Sequence, residues 1–489
     1  MRISMSGKAA LGCLVSVVAG CGGGNGGSYG SSSMPAPTVT FSQPAAAATV
    51  NFGQAVTVAW TSAYATACTA SVSSAAAGAF TGSQMPSGTQ TVVPTAAGSY
   101  TYSLSCTGSG GTMSASANVT VTPNLLAALA PTGAIASVGS TIDPINGDLN
   151  PYGLVVAPAT AGLITKGDLV VCNFNDGPTN TQGNGTTIVG LHPGTGSTPY
   201  RIAQSADLQG CNALTMLPDD SISAAAWTSN MNPLVSAAGV VGTAFSGDTF
   251  AQPWGEAYVA AAGTQPAAIY VSNAPGGAIS AGGTIDRISL DMDAQTSLTE
   301  VVTGICSGGV AGAVFGPAGL TYDPAGDTLY VVATSSNSVI AITGVSTIPK
   351  DGVVVNGQCS ASAALPTPVP TFSGPSMTSA RVIAHGAPLS TPLSAALLKN
   401  GDLVVGNADI GVTTAGATTN LLIEVSPVLP GGFVGSALQI DAGTPGAIFG
   451  VAATVDAQGN QIIYFNNDNN NAVMQLGPAV TTGSTPNPY

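Results

Sequence analysis

"KGDLVVCNFND", residues Lys166 to Asp176, is respelled as "NGDLVVGNADI", residues Asn400 to Ile410, 234 positions further on. Each copy is a Gly-Asp turn, an apolar run dominated by Val, and a polar end rich in Asn. That is how a short buried strand bounded by tight turns is written. A longer phrase surrounds it: an x-Pro-x-Gly step, a few apolar residues, a turn with Gly or Asp, then a strand ending in Asn. "NPYGLVV" leads to "KGDLVVCN", and "QPWGEAYV" leads to "AIYVSN". "GPAGLTYDPAGDTLYVV" runs on to "SSNSVIAI", "TPLSAALLKNGDLVVGN" follows, and "AIFGVAATVDAQGNQIIYFNN" closes the series. A weaker copy, "GCNALTMLPDDSISAAAW", lies between the first and second of these.

The six copies are anchored at Gly153, Ala213, Gly255, Gly319, Ser394 and Gly450, at intervals of 60, 42, 64, 75 and 56 residues. Four short strands with their loops fill such a length, whereas a helical solenoid needs a 3.6-residue period that is absent. Radial repetition of small sheets hides strand edges, which a chain so poor in edge-guarding Lys requires. The pattern predicts a six-bladed β-propeller over residues 130–478, with "LAPTGAIASVG" (Leu129 to Gly139) supplying a strand that closes the ring. "ALPTPVPTFSGPSMTS" (Ala364 to Ser379) reads as a Pro-rich insertion between the fourth and fifth blades and accounts for the 75-residue interval.

Composition agrees with an all-β chain of more than one domain. Only 6% of the 489 residues are charged, against 64 Gly and 33 Pro, yet Val, Ile, Leu, Phe and Tyr are spread throughout. Many short strands joined by tight turns suit that mixture; wholesale disorder does not. The formal charge is −14, and removal of Arg2 and Lys8 with a leader would leave six basic residues against 22 acidic ones. Such a surface repels phosphate backbones and offers no polybasic patch to anionic lipid. Nucleic acid is therefore excluded as a partner, and membrane attachment has to be covalent.

Residues 1–20 supply the means. Arg2 and Lys8 precede a twelve-residue apolar run, "AALGCLVSVVAG" (Ala9 to Gly20), too short to span a bilayer as a helix. The run ends "VAGC" and resembles the bacterial lipobox, which implies lipidation of Cys21 and a signal peptide over 1–20. Residues 21–36 are Gly/Ser-rich, as a flexible tether is. Gly22 is not an acid, so nothing holds the protein at an inner membrane. The expected location is the cell envelope of a bacterium, at the outer membrane, on its periplasmic or surface face. Residues 479–489 are a C-terminal tail.

From residue 37 to 123 the chain reads as alternating strands, with Trp60 before Cys68 and Tyr102 four residues before Cys106, and a hinge is expected near Pro123–Leu129. This segment resembles the immunoglobulin-like β-sandwiches of bacterial surface proteins, which implies a spacer and a Cys68–Cys106 bridge. With Cys13 and Cys21 set aside, six cysteines remain, an even number in an exported chain. Chain order and blade adjacency favour Cys172–Cys211 and Cys306–Cys359 over any pairing across the ring. No Cys-x-x-Cys pair or Cys-His cluster supports zinc or haem.

The x-Pro-x-Gly phrase resembles the NHL-type and gluconolactonase-like six-bladed propellers. In the latter the chemistry rests on a divalent cation in the central tunnel, held by carboxylate and Asn oxygens near the starts of the inner strands. The x positions here are Asn150, Gly210, Gln252, Gly316, Thr391 and Ala447, none acidic, and Asn150 stands where the resemblance places a key glutamate. Asp148 is the nearest substitute. Neither catalytic nor metal residues are assigned, and calcium belongs only to the lactonase-like hydrolase or lyase alternative. Aromatic residues fill the second x at Tyr152, Trp254 and Phe449; with Asn150 and Gln252 they form either a ligand floor at one mouth or packing between blades. Of the two histidines, His192 and His385, neither accompanies a nucleophile elbow. The recurring Asn residues are attributed to turn chemistry. The leading expectation is a non-catalytic binding or scaffold protein whose propeller face takes an envelope protein, a glycan or a small molecule.

Overall fold

The computed structural model describes residues 34–478, apart from 46, 53, 96, 123, 131–134, 247–249, 292–293, 358, 360–367 and 430. The leader, Cys21, most of the tether, part of the Pro-rich insertion and the tail 479–489 lie outside the described residues.

Among the described residues, six sheets repeat one plan of four antiparallel strands, in chain order except for the outermost strand of the sixth. The first sheet is Leu149–Val156, Leu169–Asn175, Thr187–Leu191 and Tyr200–Gln204. The first strands of the other five are Cys211–Met216, Pro253–Val259, Pro317–Asp323, Pro392–Leu397 and Ile448–Val455. These inner strands touch in sequence, first to second and so on round to sixth against first, so the sheets form a closed β-propeller. Ala136–Ser140 completes the sixth sheet by pairing with Ala472–Leu476, Gly139 opposite Val473.

The repeated phrase has a steric cause. A Cβ on Gly255 would lie 2.0 Å from the Ala318 carbonyl oxygen, and one on Gly450 would lie 2.4 Å from that of Tyr152. A Cβ on Gly319 would lie 2.8 Å from Ser394 Cα, and one on Gly153 would lie 3.0 Å from Ala213 Cα. The anchors are thus the points where neighbouring inner strands come closest, and only small residues fit there. The apolar core is divided into layers between neighbouring sheets. Val170, Ile188 and Leu214 belong to the layer between the first and second, and Leu403, Val332 and Ile383 to that between the fourth and fifth.

The x positions have a backbone reason as well. Asn150, Gly210, Gln252 and Thr391 lie at φ between 43° and 72°, the left-handed region. Three of their amides are capped from the preceding sheet. Asn150 N–H donates to Asn471 Oδ1 at 2.7 Å, Gln252 N–H to Asn230 Oδ1 at 2.5 Å and Thr391 N–H to Asn337 Oδ1 at 2.5 Å. The capping asparagines are themselves left-handed, with φ of 50°, 56° and 47°. Turn chemistry therefore accounts for Asn337 and Asn471. It fails for Asn173, Asn273 and Asn407, which lie fully buried at strand ends and bridge backbone or side-chain groups across loops.

Two further expectations are corrected. The Pro-rich insertion lies inside the fourth sheet, between its strands Ser338–Thr343 and Ala380–His385. Val353–Asn356 before it and Thr371–Ser373 within it add two strands to the outer edge of the third sheet and cover that edge. Cys306 and Cys359 consequently staple the third sheet's extension, with Cα atoms 5.3 Å apart. Cys172 and Cys211 join the first and second sheets at a Cα distance of 5.7 Å. Secondly, the segment near Leu129 is no hinge. Leu125–Leu129 is a short helix capped by the Asn124 side chain, with Leu126 and Leu129 buried among residues of the fifth and sixth sheets. Glu424 accepts from the Leu125 and Leu126 amides at 3.0 and 2.7 Å.

The N-terminal strands form two sheets, of three and five strands, over a shared core of Val58, Trp60, Phe80, Tyr102 and Leu104. Cys68 and Cys106 are directly opposite on adjacent strands of the five-stranded sheet, Cα atoms 4.0 Å apart.

Gly255→Ala is expected to lower stability by about 1–3 kcal/mol or more, because its Cβ meets backbone that has nowhere to go. Gly416→Ala, where a Cβ meets nothing within 4 Å, is expected to change it by less than about 0.5 kcal/mol. Denaturant melts of the two variants check the pair.

Candidate functional site

The inner strands enclose a central tunnel, and its two ends differ. At the end where these strands begin, Tyr152 stacks on Phe449 at 4.0 Å between centroids and on Phe174 at 4.2 Å, both nearly parallel. Trp254 meets Tyr152 edge-on at 6.3 Å. Such ring contacts add about 0.5–1.5 kcal/mol each beyond their buried area. Tyr152 is only 2% exposed and Trp254 5%. Gln182, from a loop of the first sheet, accepts from Asn150 Nδ2 at 3.3 Å and from the Tyr152 hydroxyl at 3.5 Å. Gln252 Oε1 accepts the Gly276 amide at 2.5 Å. The structure thus brings the three aromatic residues together, but as a plug on this mouth. Asn150 and Gln252 serve its loops and present no open floor.

Behind the plug lies a narrow cavity of about 70 Å³ lined by the anchor residues, with Asn212, Glu256 and Ser394 as its polar side chains. It widens at the opposite end into a funnel of about 560 Å³. Leu154, Leu214, Leu320, Leu397 and Val451 make much of the funnel wall, with Tyr258 and Tyr322 toward the rim. The volume falls in the range of small-molecule sites.

Glu256 is the residue that the sequence reading missed. It follows the third anchor glycine, and the corresponding positions after the other anchors are Leu154, Leu214, Leu320, Ala395 and Val451. One carboxyl in an otherwise aliphatic column was the available signal. Glu256 is 6% exposed. Its Oε1 accepts from Ser223 Oγ at 3.0 Å and from Asn232 Nδ2, so the carboxyl is drawn toward the second sheet. Burial pushes its pKa up to about 8, against the opposing pull of Ser223, Asn232 and the Thr215 backbone. At neutral pH the group is mostly uncharged.

A hard cation such as calcium wants several oxygens and net negative charge among them. The tunnel offers one carboxyl, mostly protonated, beside an amide and a hydroxyl. Asp148 is spoken for: its Oδ2 accepts from Thr186 N–H at 2.8 Å and from Thr186 Oγ1 at 3.1 Å, and its Oδ1 faces the Gly177 amide. Among the described residues no group of three or more His, Cys, Asp or Glu could hold a metal. The donor set does not fit the cation that the lactonase resemblance implies. The histidines stand apart from the tunnel. His192 is largely exposed and places Nδ1 2.7 Å from Oδ1 of the buried Asp168, and His385 Nδ1 lies 3.0 Å from Ser338 Oγ.

The raised Glu256 pKa fixes a sign. The stability it allows is fully present below the unfolded carboxyl value of about 4.3 and is lost as pH rises, the loss being complete above about 8. Glu256→Gln keeps the shape and removes the titration. Its melting temperature is expected to match the parent near pH 4 and to exceed it above pH 8. Thermal melts across that range check this, and a variant less stable than the parent at pH 9 would contradict it.

No family model matches the chain, and no curated protein matches it. Solved structures give distant likenesses. Virginiamycin B lyase from Staphylococcus aureus is 14% identical with a TM-score of 0.40, over 71% of this chain and 99% of that one. A calcium-binding protein, regucalcin, from Agrobacterium tumefaciens is 13% identical with a TM-score of 0.42, over 73% and 96%. Luciferin-regenerating enzyme is 9% identical with a TM-score of 0.42, over 72% and 97%. The propeller itself rests on this chain's own sheet order and ring of inner strands.

Proposed function

We propose that this protein is an exported bacterial lipoprotein, anchored through Cys21 to the outer membrane, with no cofactor and no nucleic-acid partner. Residues 37–123 are read as an immunoglobulin-like spacer and 130–478 as a six-bladed propeller that acts as a non-catalytic binding module. The observation that supports this reading is a tunnel sealed by aromatic stacking at one end and open at the other as an aliphatic-walled funnel. Such a cavity buries a small molecule's apolar surface, which is the main driving force for its capture. The wall lacks what hydrolysis or lyase chemistry needs, a cation-holding set or an oriented acid–base pair.

With chelator added, the melting temperature of the full chain is expected to stay where it was, since a bound ion stabilises only by favouring the folded state. Simple lactones are expected to hydrolyse at the uncatalysed rate with or without added calcium. A fall in melting temperature on chelation, or calcium-dependent turnover, would restore the enzyme alternative. For the anchor, Cys21→Ser is expected to move the protein from the membrane to the soluble fraction; retention of the variant on membranes would refute lipid anchoring.

A further inference from the structure

The funnel's wall is apolar, but its charge is one-sided. Its lining includes two carboxyls, Asp323 and Glu256, and no Lys, Arg or His. Glu256 lies at the inner end and is engaged by Ser223 and Asn232, so Asp323 is the carboxyl at the rim. Asp323 sits half-buried at the end of the fourth inner strand, where its Oδ1 accepts the Ala325 amide at 2.9 Å. Beside it, the Tyr322 ring is also part of the wall, and its hydroxyl donates to Asp327 Oδ1 at 3.1 Å. Burial first, then Asp327 and more weakly Asp323, push the Tyr322 hydroxyl up to about 12. A carboxylate on an apolar wall that carries no base, beside an aromatic ring, is a setting that attracts a cation and repels an anion. Lys399, a base on a turn of the neighbouring sheet, is committed to the Gly459 carbonyl at 2.7 Å.

We propose that the funnel takes a small cationic amphiphile, its apolar body against the aliphatic wall and its protonated amine at the Asp323–Tyr322 corner. This rests on reading the funnel as the binding site. The wall supplies affinity through buried area, and the corner supplies selection: a neutral analogue loses the charge contact, and a carboxylate meets like charge. Fatty acids, sugar acids and phosphate esters are thereby disfavoured, and alkyl or aryl amines are favoured.

Three matched probes test the proposal on the full chain by isothermal titration at pH 7: octylammonium, octanol and octanoate. Octylammonium is expected to bind about tenfold more tightly than octanol, with octanoate weakest. Asp323→Asn preserves the Oδ1 acceptor of the turn and is expected to bring octylammonium within about threefold of octanol while leaving octanol unchanged. Leu397→Trp, which narrows the funnel from a half-buried position, is expected to weaken both. Octanol or octanoate binding as tightly as octylammonium would overturn the cationic class and leave the funnel standing. Octylammonium binding that Asp323→Asn does not change would do the same. If none of the probes bound, or if Leu397→Trp folded and bound them all unchanged, the funnel itself would fall as the site.

Discussion

The rest of this molecule depends on how closely the six inner strands approach one another. Where each strand passes the next, there is no space for a Cβ at Gly153, Gly255, Gly319 or Gly450, and Ala213 and Ser394 carry small side chains at the corresponding positions. This constraint sets the repeat. Loop lengths are free to vary, so the intervals between anchors run from 42 to 75 residues, while the anchor positions stay small. It also sets the tunnel, which is lined largely by the anchor residues and is correspondingly narrow. A side chain larger than that of Ser394 can enter it only above or below the anchor level. The plug of Tyr152, Trp254 and Phe449 lies one residue before the anchors, and the funnel begins one residue after them.

A chain with so few charges has to hold its loops by other means, and amides do that work. Asn230, Asn337 and Asn471 each combine a left-handed backbone with a side chain that caps the next sheet's first strand. One residue thereby forms a turn and fastens neighbouring sheets. Two ion pairs among the described residues are Arg201–Asp143 and the His192–Asp168 contact. Arg201 grips Asp143 through Nε and Nη2 at 2.8 and 2.6 Å, fixing the loop that leads into Asn150. Burial alone would raise the Asp143 pKa, but Arg201 and the Asn146 and Ile145 amides outweigh it and hold it low. Elsewhere the opposite holds: burial carries Asp286 to about 7 and Asp468 to about 6. Carboxyls that protonate more readily when folded favour the native state as pH falls, so an excess of acidic residues is compatible here with stability in acid.

The propeller was legible in the sequence because a steric constraint repeats and repetition is visible in a string. Gly153, Gly255 and Gly319 recur in one x-Pro-x-Gly step, Gly450 follows Ile448 and Phe449 in a variant of it, and the weaker copies at Ala213 and Ser394 share the tight position if not the residue. What the sequence hid was direction and destination. Tyr152 and Phe449 read more readily as packing between blades than as a ligand floor, but only the fold shows that their rings face each other across sheets. The Pro-rich insertion was placed between blades because the strands before and within it, Val353–Asn356 and Thr371–Ser373, are too short to reveal which edge they join. Leu125–Leu129 read as a hinge because a five-residue helix has no period to detect, and its partner Glu424 is some 300 positions away. Glu256 was visible only by alignment of the post-anchor column, where a lone acid among aliphatics marks an exception.

The asymmetry of the tunnel bears most directly on function. An open tunnel would let water reach both ends of any bound molecule, and the tight anchor ring leaves no width for a ligand to pass through. Stacking Tyr152 between Phe174 and Phe449 turns the tunnel into a blind cavity with a single entrance. Inside it the wall is aliphatic and Glu256 is mostly uncharged at neutral pH, so the interior makes little distinction between ligand charges. On the proposed reading, charge selection is left to the rim, where Asp323 and Tyr322 line the funnel and would meet a molecule that is still partly hydrated. Such a division lets burial of apolar surface supply the affinity and confines discrimination to groups that need not be stripped of water. That arrangement serves reversible capture at an entrance better than chemistry in the interior.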